Sequence, residues 1–153
     1  MKIVVNYLKE VQELFEDGKI DFVDYFKLYS LNEDISAIDW CIRHRPVMFH
    51  GIIGKASMFG EKNLIKYTDI DKTNEVLKKS KTPYLSGHIS VKDGNQTLEE
   101  TLSAIKENIK GYKDIFGKNI ALENIPYRER YDNSIYLIEP EIISKIVYEN
   151  DCM

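Results

Sequence analysis

Three side chains that can bind a metal ion each follow a short apolar segment. These residues are His50, His88 and Glu123, and the segments before them are 46–49, 83–87 and 119–122. Imidazole and carboxylate are ligands that iron and manganese accept, and two histidines with one carboxylate leave coordination positions open for substrate and dioxygen. The same set also serves catalytic zinc, which lowers the pKa of a bound water. The residue types therefore predict a divalent-metal site in which iron is favoured and zinc or manganese remains open.

The prediction depends on the three positions together. A single histidine at the end of a strand is more often a hydrogen-bonded structural residue than a metal ligand. However, apolar runs of this length, bounded by proline, glycine or asparagine, are typical of short buried strands. The carboxyl ends of parallel strands share one end of a sheet, where folds of this class place their sites. We therefore expect His50, His88 and Glu123 to lie in one cleft.

Other reactive side chains are weaker candidates. Arg128 and Arg130 lie in a polar loop, 124–134, and their guanidinium groups can hold a substrate carboxylate or phosphate through forked hydrogen bonds. The alternative is a solvated loop without a binding role. Ser86 and Ser90 lack the acid and oxyanion-hole signature of a hydrolytic triad, so that chemistry is poorly supported.

The remaining histidine and several aromatic residues have structural interpretations. His44 is predicted to be a surface residue in a helix-to-strand loop, at the end of the sheet opposite the site. The aromatic residues Tyr25, Phe26, Tyr29 and Trp40 lie inside periodic elements. They are predicted to fill the core rather than to form a stacking platform.

Strand and helix signals alternate along the whole chain. Apolar or alternating runs predict strands at 3–5, 22–28, 46–50, 83–88 and 120–122. Apolar residues at spacings of three and four predict helices over 8–16, 35–42, 69–79, 98–112 and 140–147. This alternation is typical of an α/β fold in which right-handed crossovers join parallel strands. Residues 51–68 show no regular hydrophobic periodicity and are predicted to be a long loop. Long loops in compact domains more often have a functional role than serve only as connections.

The loops distinguish an open doubly wound sheet from a closed barrel. No GxGxxG or GxxxxGK[ST] motif follows the first strand, so the sequence lacks the usual signature of a nucleotide-binding open sheet. A TIM-barrel-like fold is therefore favoured. A complete (β/α)₈ barrel needs about 250 residues. We accordingly expect the 153 residues to form one domain, 1–153, that corresponds to the first five βα units of a truncated barrel.

Three short motifs carry a resemblance to a known family. They are Phe49-His50-Gly51, Ser86-Gly87-His88-Ile89-Ser90 and Leu122-Glu123-Asn124-Ile125-Pro126-Tyr127. In this order and spacing they resemble the motifs of the multinuclear non-haem iron-dependent oxidative enzymes. Those enzymes are xylose-isomerase-like TIM barrels and include the methanobactin biosynthesis oxidase. The resemblance extends from the first strand to the last residue, and it departs from the family's Glu-Asn-Pro at Glu123-Asn124-Ile125-Pro126.

The resemblance implies an iron-dependent oxidative enzyme that acts on a peptide side chain, with two or three metals in a complete barrel. His50, His88 and Glu123 would belong to its metal shell, and a partner protein could present the peptide. Because three ligands from one side of a barrel cannot enclose several metals, we expect this chain to hold iron weakly and to show no turnover by itself. The alternatives are another xylose-isomerase-like activity, either sugar isomerisation or phosphodiester hydrolysis, and a non-catalytic half-barrel.

The composition argues against several classes of partner. Hydrophobic residues make up 43% of the chain, yet no apolar run is long enough for a membrane span. Cys41 and Cys152 form no CxxC pair, which indicates reduced thiols and a cytoplasmic location. The net charge of −4, with both signs interspersed, argues against nucleic acid and membrane surfaces and favours a peptide or small-molecule substrate. An open sheet also leaves two edges, which a homodimer could cover.

Overall fold

A computed structural model of the chain describes residues 2–29, 35–51, 58–91, 95–124 and 137–153. Within these ranges, strands and α-helices alternate along the chain. The strands are β1 (Val4–Asn6), β2 (Tyr25–Tyr29), β3 (Val47–His50), β4 (Tyr84–Ile89) and β5 (Asn119–Asn124). The helices are α1 (Lys9–Glu16), α2 (Ile35–His44), α3 (Ile70–Ser80), α4 (Leu98–Phe116) and α5 (Pro140–Glu149). None of the described helices is both long and apolar enough to cross a membrane.

The strands of the described residues form one parallel sheet with the order β1-β2-β3-β4-β5. This arrangement confirms the predicted α/β class. Because crossovers between parallel strands are right-handed, an order without reversal places successive helices on the same face of the sheet. A doubly wound sheet would instead reverse its strand order and place helices on both faces. The sheet therefore has the topology of a barrel wall.

The two faces of the sheet differ in chemistry because successive side chains of a strand point to opposite sides. One face packs under the helices and carries buried apolar residues, among them Phe26, Leu28, Phe49, Leu85 and Ile120. The opposite face, called the inner face below, carries Lys27, His50, Ser86, His88 and Glu123. The alternation thus separates a hydrophobic layer under the helices from an inner face that carries polar residues of β2, β3, β4 and β5.

Helix α4 illustrates how local sequence determines an element. The Thr97 side chain accepts a hydrogen bond from the backbone N–H of Glu100, and the Glu100 carboxylate accepts one from the backbone N–H of Thr97. This capping box satisfies backbone donors at the start of the helix. The helix ends before Gly117, whose φ of 59° is accessible to glycine at little cost. The predicted helix is confirmed and continues to Phe116.

Three local predictions were wrong. His44 is exposed, as predicted, but it is the last residue of α2 rather than part of a loop, and its ring contacts Trp40. Strand β2 begins at Tyr25 rather than at residue 22, because residues 17–22 form turns. Trp40 and Phe26 are buried as predicted, whereas Tyr29 is 47% exposed and does not fill the core.

The predicted loop 51–68 contains regular structure in its second half. Met58 forms a parallel bridge with His88, Phe59 is fully buried, and residues Leu64–Tyr67 form a short 3₁₀-helix. Backbone hydrogen bonds from Phe59 N to His88 O and from Gly60 N to Ser90 O, each 2.9 Å long, join this segment to the end of β4. Residues 52–57 lie outside the described ranges. The segment 58–60 therefore extends the sheet beside the predicted site.

Candidate metal centre

The structure brings His50, His88 and Glu123 together at the carboxyl ends of three neighbouring strands. One ligand atom from each residue lies within 4.8 Å of the others. The register explains the proximity, because His88 pairs with Glu123 across β4 and β5, and His50 pairs with Ser86 across β3 and β4. All of these side chains belong to the inner face. The predicted convergence is therefore present, while the role of these residues as metal ligands stays a prediction.

The turn after β3 is possible because of a glycine. Gly51 has a φ of 99°, a backbone conformation that residues with a side chain rarely adopt. Its backbone N–H donates to the carbonyl oxygen of Ser86 over 2.9 Å, so the end of β3 remains attached to β4. His50 is thereby held at the last position of a paired strand.

The distances within the cluster are short. His50 Nε2 lies 3.3 Å from His88 Nε2, and the two rings meet edge to face with centroids 4.8 Å apart. His50 Nδ1 lies 3.1 Å from Glu123 Oε1. Two nitrogen donors and one oxygen donor thus occupy a volume small enough for a single cation to contact all three after small side-chain rotations.

The hydroxyl of Ser86 orients the imidazole of His50. It donates to the carbonyl oxygen of Phe49 over 3.3 Å, and its oxygen lies 2.8 Å from His50 Nδ1. With the hydroxyl donating to this carbonyl, its oxygen can accept a hydrogen bond from Nδ1–H of His50. The nearby Glu123 Oε1 is also an acceptor, so both neighbours favour a proton on Nδ1. The lone pair on Nε2 then faces His88, as a metal ligand requires.

The local environment sets the charges of the three groups. Burial lowers the pKa of His50 to about 4, although the carboxylate of Glu123 acts in the opposite direction. Burial also lowers the pKa of His88. Burial raises the pKa of Glu123, but the hydrogen bond from Lys27 and nearby charges outweigh it, so the net shift is downward. At neutral pH the imidazoles are therefore neutral and Glu123 is ionised, which are the forms that bind metals.

One atom of the cluster lacks a partner. In the part of the chain that the structure describes, His88 Nδ1 is buried without a hydrogen bond. A buried polar nitrogen without a partner is costly, and such atoms often mark functional positions. This nitrogen is a different ring atom from Nε2, which faces His50, so the fit of a divalent cation at the cluster rests on the donor types and their charges.

Lys27 is a member of the cluster that the sequence analysis missed. Its Nζ lies 2.6 Å from Glu123 Oε1, although the two residues are 96 positions apart. A lysine between aromatic residues in β2 was the available signal, because period-two alternation places Lys27 on the same face as Tyr29, whose register partner is His50. The Tyr29 ring lies 5.3 Å from the His50 ring and 5.6 Å from Lys27 Nζ.

The family model described as "RiPP precursor modification enzyme MbnB/TglH/ChrH" matches residues 9–153. The chain belongs to this family. RiPP precursor modification enzymes alter ribosomally made peptides, and the match includes β3, β4 and β5 with all three predicted ligands. The family resemblance found in the sequence motifs is thereby confirmed.

A solved structure supports the fold of this RiPP modification enzyme family member. The chain matches a crystal structure of the "IOLI protein with a binding zinc atom" with a TM-score of 0.63 and 18% identity. The match covers 98% of this chain and 60% of the other, so the present chain spans three-fifths of that protein. At this identity the likeness shows the fold alone, which is xylose-isomerase-like. None of the curated proteins compared with the chain matches it.

The two predicted substrate-binding arginines, Arg128 and Arg130, lie outside the described residues. The structure therefore places His50, His88 and Glu123 together and adds Lys27 and Ser86 to their surroundings. The role of the arginines stays a prediction.

Proposed function

We propose that the chain supplies a two-histidine, one-carboxylate face of a metal centre in an enzyme that oxidises a side chain of a precursor peptide. The observation that carries the proposal is the convergence of His50, His88 and Glu123 within 4.8 Å on the inner face. The family supports the peptide as substrate class, because its members are described as RiPP precursor modification enzymes. Arg128 and Arg130 are proposed to bind a carboxylate of that peptide.

Iron is the proposed metal because two histidines and one carboxylate leave positions open for substrate and dioxygen. When bound, iron supplies the redox chemistry that oxidation of a side chain requires. Zinc is the second choice, since the donor set also suits zinc and the matching IOLI structure is described with a zinc atom. A second metal in the complete enzyme would need donors beyond these three.

The residues of the chain have separate roles in this proposal. His50 and His88 present neutral nitrogen donors whose orientation is fixed by β3 and β4. Glu123 supplies the negative charge that offsets part of a cation's charge. Ser86 keeps the proton of His50 on Nδ1, and Tyr29 forms an exposed wall beside the imidazole on which an apolar part of the peptide can rest.

A metal titration of the purified chain tests the proposal. Iron(II), manganese and zinc are titrated separately into protein freed of metal, with iron handled without oxygen. We expect weak binding at one site. Replacing a ligand typically costs on the order of tenfold or more in affinity, so His88→Ala and Glu123→Gln should both weaken it by that factor. His44→Ala is the control, because His44 is an exposed histidine at the end of α2.

Two further results decide the proposal. Equal affinity in wild type, His88→Ala and Glu123→Gln would remove these residues as ligands. A lowered melting temperature of Glu123→Gln with normal metal content would make Glu123 a structural residue instead. For the reaction, mass spectrometry of a precursor peptide treated with a complete barrel that includes this chain should show an iron-dependent and dioxygen-dependent loss or gain of mass. Modification that proceeds equally with zinc would replace oxidation by a non-redox reaction.

A further inference from the structure

We propose that Lys27 is an internal cation that occupies the carboxylate of Glu123 in the metal-free protein and competes with the metal for it. This inference rests on the proposed metal centre, because it describes how that centre is filled. It concerns a residue on β2, a strand that contributes none of the three predicted ligands.

The geometry places the ammonium group of Lys27 at the cluster. Its Nζ contacts Glu123 Oε1 at 2.6 Å, and the same oxygen lies 3.1 Å from His50 Nδ1. One oxygen of the carboxylate that would bind a cation therefore already has a cationic partner. The Lys27 side chain is only 22% exposed, so water screens this pair less than it screens a surface pair.

The charges of the cluster are balanced without a metal. Lys27 contributes one positive charge and Glu123 contributes one negative charge, and the two groups form an ion pair with an Nζ–Oε1 distance of 2.6 Å. A divalent cation added to this set must either displace Lys27 from Oε1 or bind beside its positive charge, and both cost binding energy. Without Lys27, the same cluster would carry a net negative charge and attract the cation.

The expected effect is large enough to measure. At about 4 Å and a dielectric constant typical of a protein surface, the interaction of two unit charges exceeds the energy of a tenfold change in affinity. Removal of the Lys27 charge should therefore tighten binding of a divalent cation by roughly tenfold or more. A lysine that only supports the fold would have no such effect on affinity.

The chain offers a matched control for this substitution. Lys79 forms an ion pair with Asp39 in which the Nζ–Oδ2 distance is 2.8 Å and the lysine side chain is 28% exposed. This pair joins α3 to α2 and includes no predicted ligand. Lys79→Met thus removes a comparable lysine and a comparable ion pair away from the cluster.

The experiment compares Lys27→Met, Lys27→Gln, Lys27→Arg and Lys79→Met with wild type. The dissociation constant for zinc and for manganese is measured by competition with a chelating dye at pH 7.5 and constant ionic strength. The melting temperature of each metal-free protein is recorded, and circular dichroism verifies folding. Lys27→Gln serves as the uncharged variant if Lys27→Met does not fold, and Lys27→Arg retains the charge.

We expect Lys27→Met and Lys27→Gln to bind about tenfold tighter or more, whereas Lys27→Arg and Lys79→Met keep the wild-type affinity. The melting temperature of metal-free Lys27→Met should fall, because Glu123 loses its partner. Unchanged or weaker binding in the uncharged variants overturns the competition. If wild type still binds metal more tightly than His88→Ala in that case, the proposed metal centre stands and only the inference about Lys27 fails. If neither wild type nor Lys27→Met binds metal, both proposals fail.

Discussion

The buried hydroxyl of Ser86 lies between the carbonyl oxygen of Phe49 and the imidazole of His50. Its position favours the tautomer in which Nδ1 of His50 carries the proton and Nε2 remains available. Hydrogen bonds of this kind fix the tautomer and the ring orientation of metal-binding histidines. The same β4 strand therefore supplies one predicted ligand, His88, and the group that orients another.

Ser86→Ala should weaken metal binding without removing a ligand. The substitution deletes an acceptor for Nδ1 of His50, so we expect roughly tenfold lower affinity, the usual scale for loss of an orienting partner. Nitrogen NMR of the metal-free protein should also show a larger share of the Nε2-protonated form of His50. A purely structural role for Ser86 would lower the melting temperature but leave this tautomer signal unchanged.

Ser90→Ala is the control for that experiment. Ser90 is as deeply buried as Ser86, and its hydroxyl has no hydrogen-bond partner among the described residues. Its loss should therefore leave both the metal affinity and the tautomer of His50 unchanged. Equal effects of the two substitutions would show that the hydroxyl of Ser86 does not orient the ring.

Residue-level chemistry was predictable from sequence only in part. His50, His88 and Glu123 were found because each ends an apolar run, and that signal is local. Lys27 was missed because its partner is Glu123, three strands away in the sheet. Such a contact depends on the strand order and the curvature of the sheet, which no local pattern encodes.

Among the elements, those with strong local signals were predicted best. Helix α4 has a capping box, an apolar stripe and a terminal glycine, and its predicted start agrees with the structure, although the helix continues beyond residue 112 to Phe116. Strand β2 was extended too far because residues 22–24 continue an apolar pattern, although they precede the paired segment. Pairing between strands, rather than the pattern within one, determines where a strand begins.

The segment 58–60 was predicted as loop because its pairing partner is remote. Met58, Phe59 and Gly60 bind the end of β4 through backbone contacts that any sequence can make. Gly60 is the exception, because its position leaves no room for a side chain. A Cβ atom at Gly60 would lie 2.6 Å from the carbonyl oxygen of Ser90, which is backbone and cannot rotate away.

Gly60→Ala should therefore destabilise the protein, whereas Gly111→Ala should not. Overpacking of this kind typically costs about 1–3 kcal/mol, and the displaced segment would also disturb His88. A Cβ at Gly111 would meet only the end of the flexible Ile65 side chain. Alanine in a helix gains about 1 kcal/mol over glycine, which offsets the movement of Ile65. Urea unfolding of both variants tests the contrast, and equal losses of stability would contradict the close approach at Gly60.

At the scale of the whole molecule, the strand order confirms the choice of a barrel wall over a doubly wound sheet. The outer edge of β5 has a backbone contact with the end of the chain. Met153 N donates to Ile120 O over 3.2 Å, and Met153 O accepts from Leu122 N over 2.7 Å, the pattern of parallel pairing. The homodimer that was predicted to cover the sheet edges stays a prediction.

The predicted ligands lie on three adjacent strands, so a bound cation would stabilise the sheet as a unit. A ligand that binds only the folded state at a hundred times its dissociation constant adds about 2.7 kcal/mol of stability. For a protein of this size that corresponds to a rise in melting temperature of roughly 5–10 °C. We expect zinc or manganese to produce this shift in wild type and a chelator to reverse it.

Two variants and a second cation test whether the thermal shift comes from metal binding at the three predicted ligands. His50→Ala should abolish it, because one of the nitrogen donors is lost from β3. His44→Ala removes an exposed imidazole that packs on Trp40, so it can lower the starting melting temperature but should keep the full metal-induced rise. Magnesium should have little effect, since it prefers oxygen ligands in octahedral geometry. A rise that persists in His50→Ala, or that magnesium produces equally, would show that the cation stabilises the chain elsewhere.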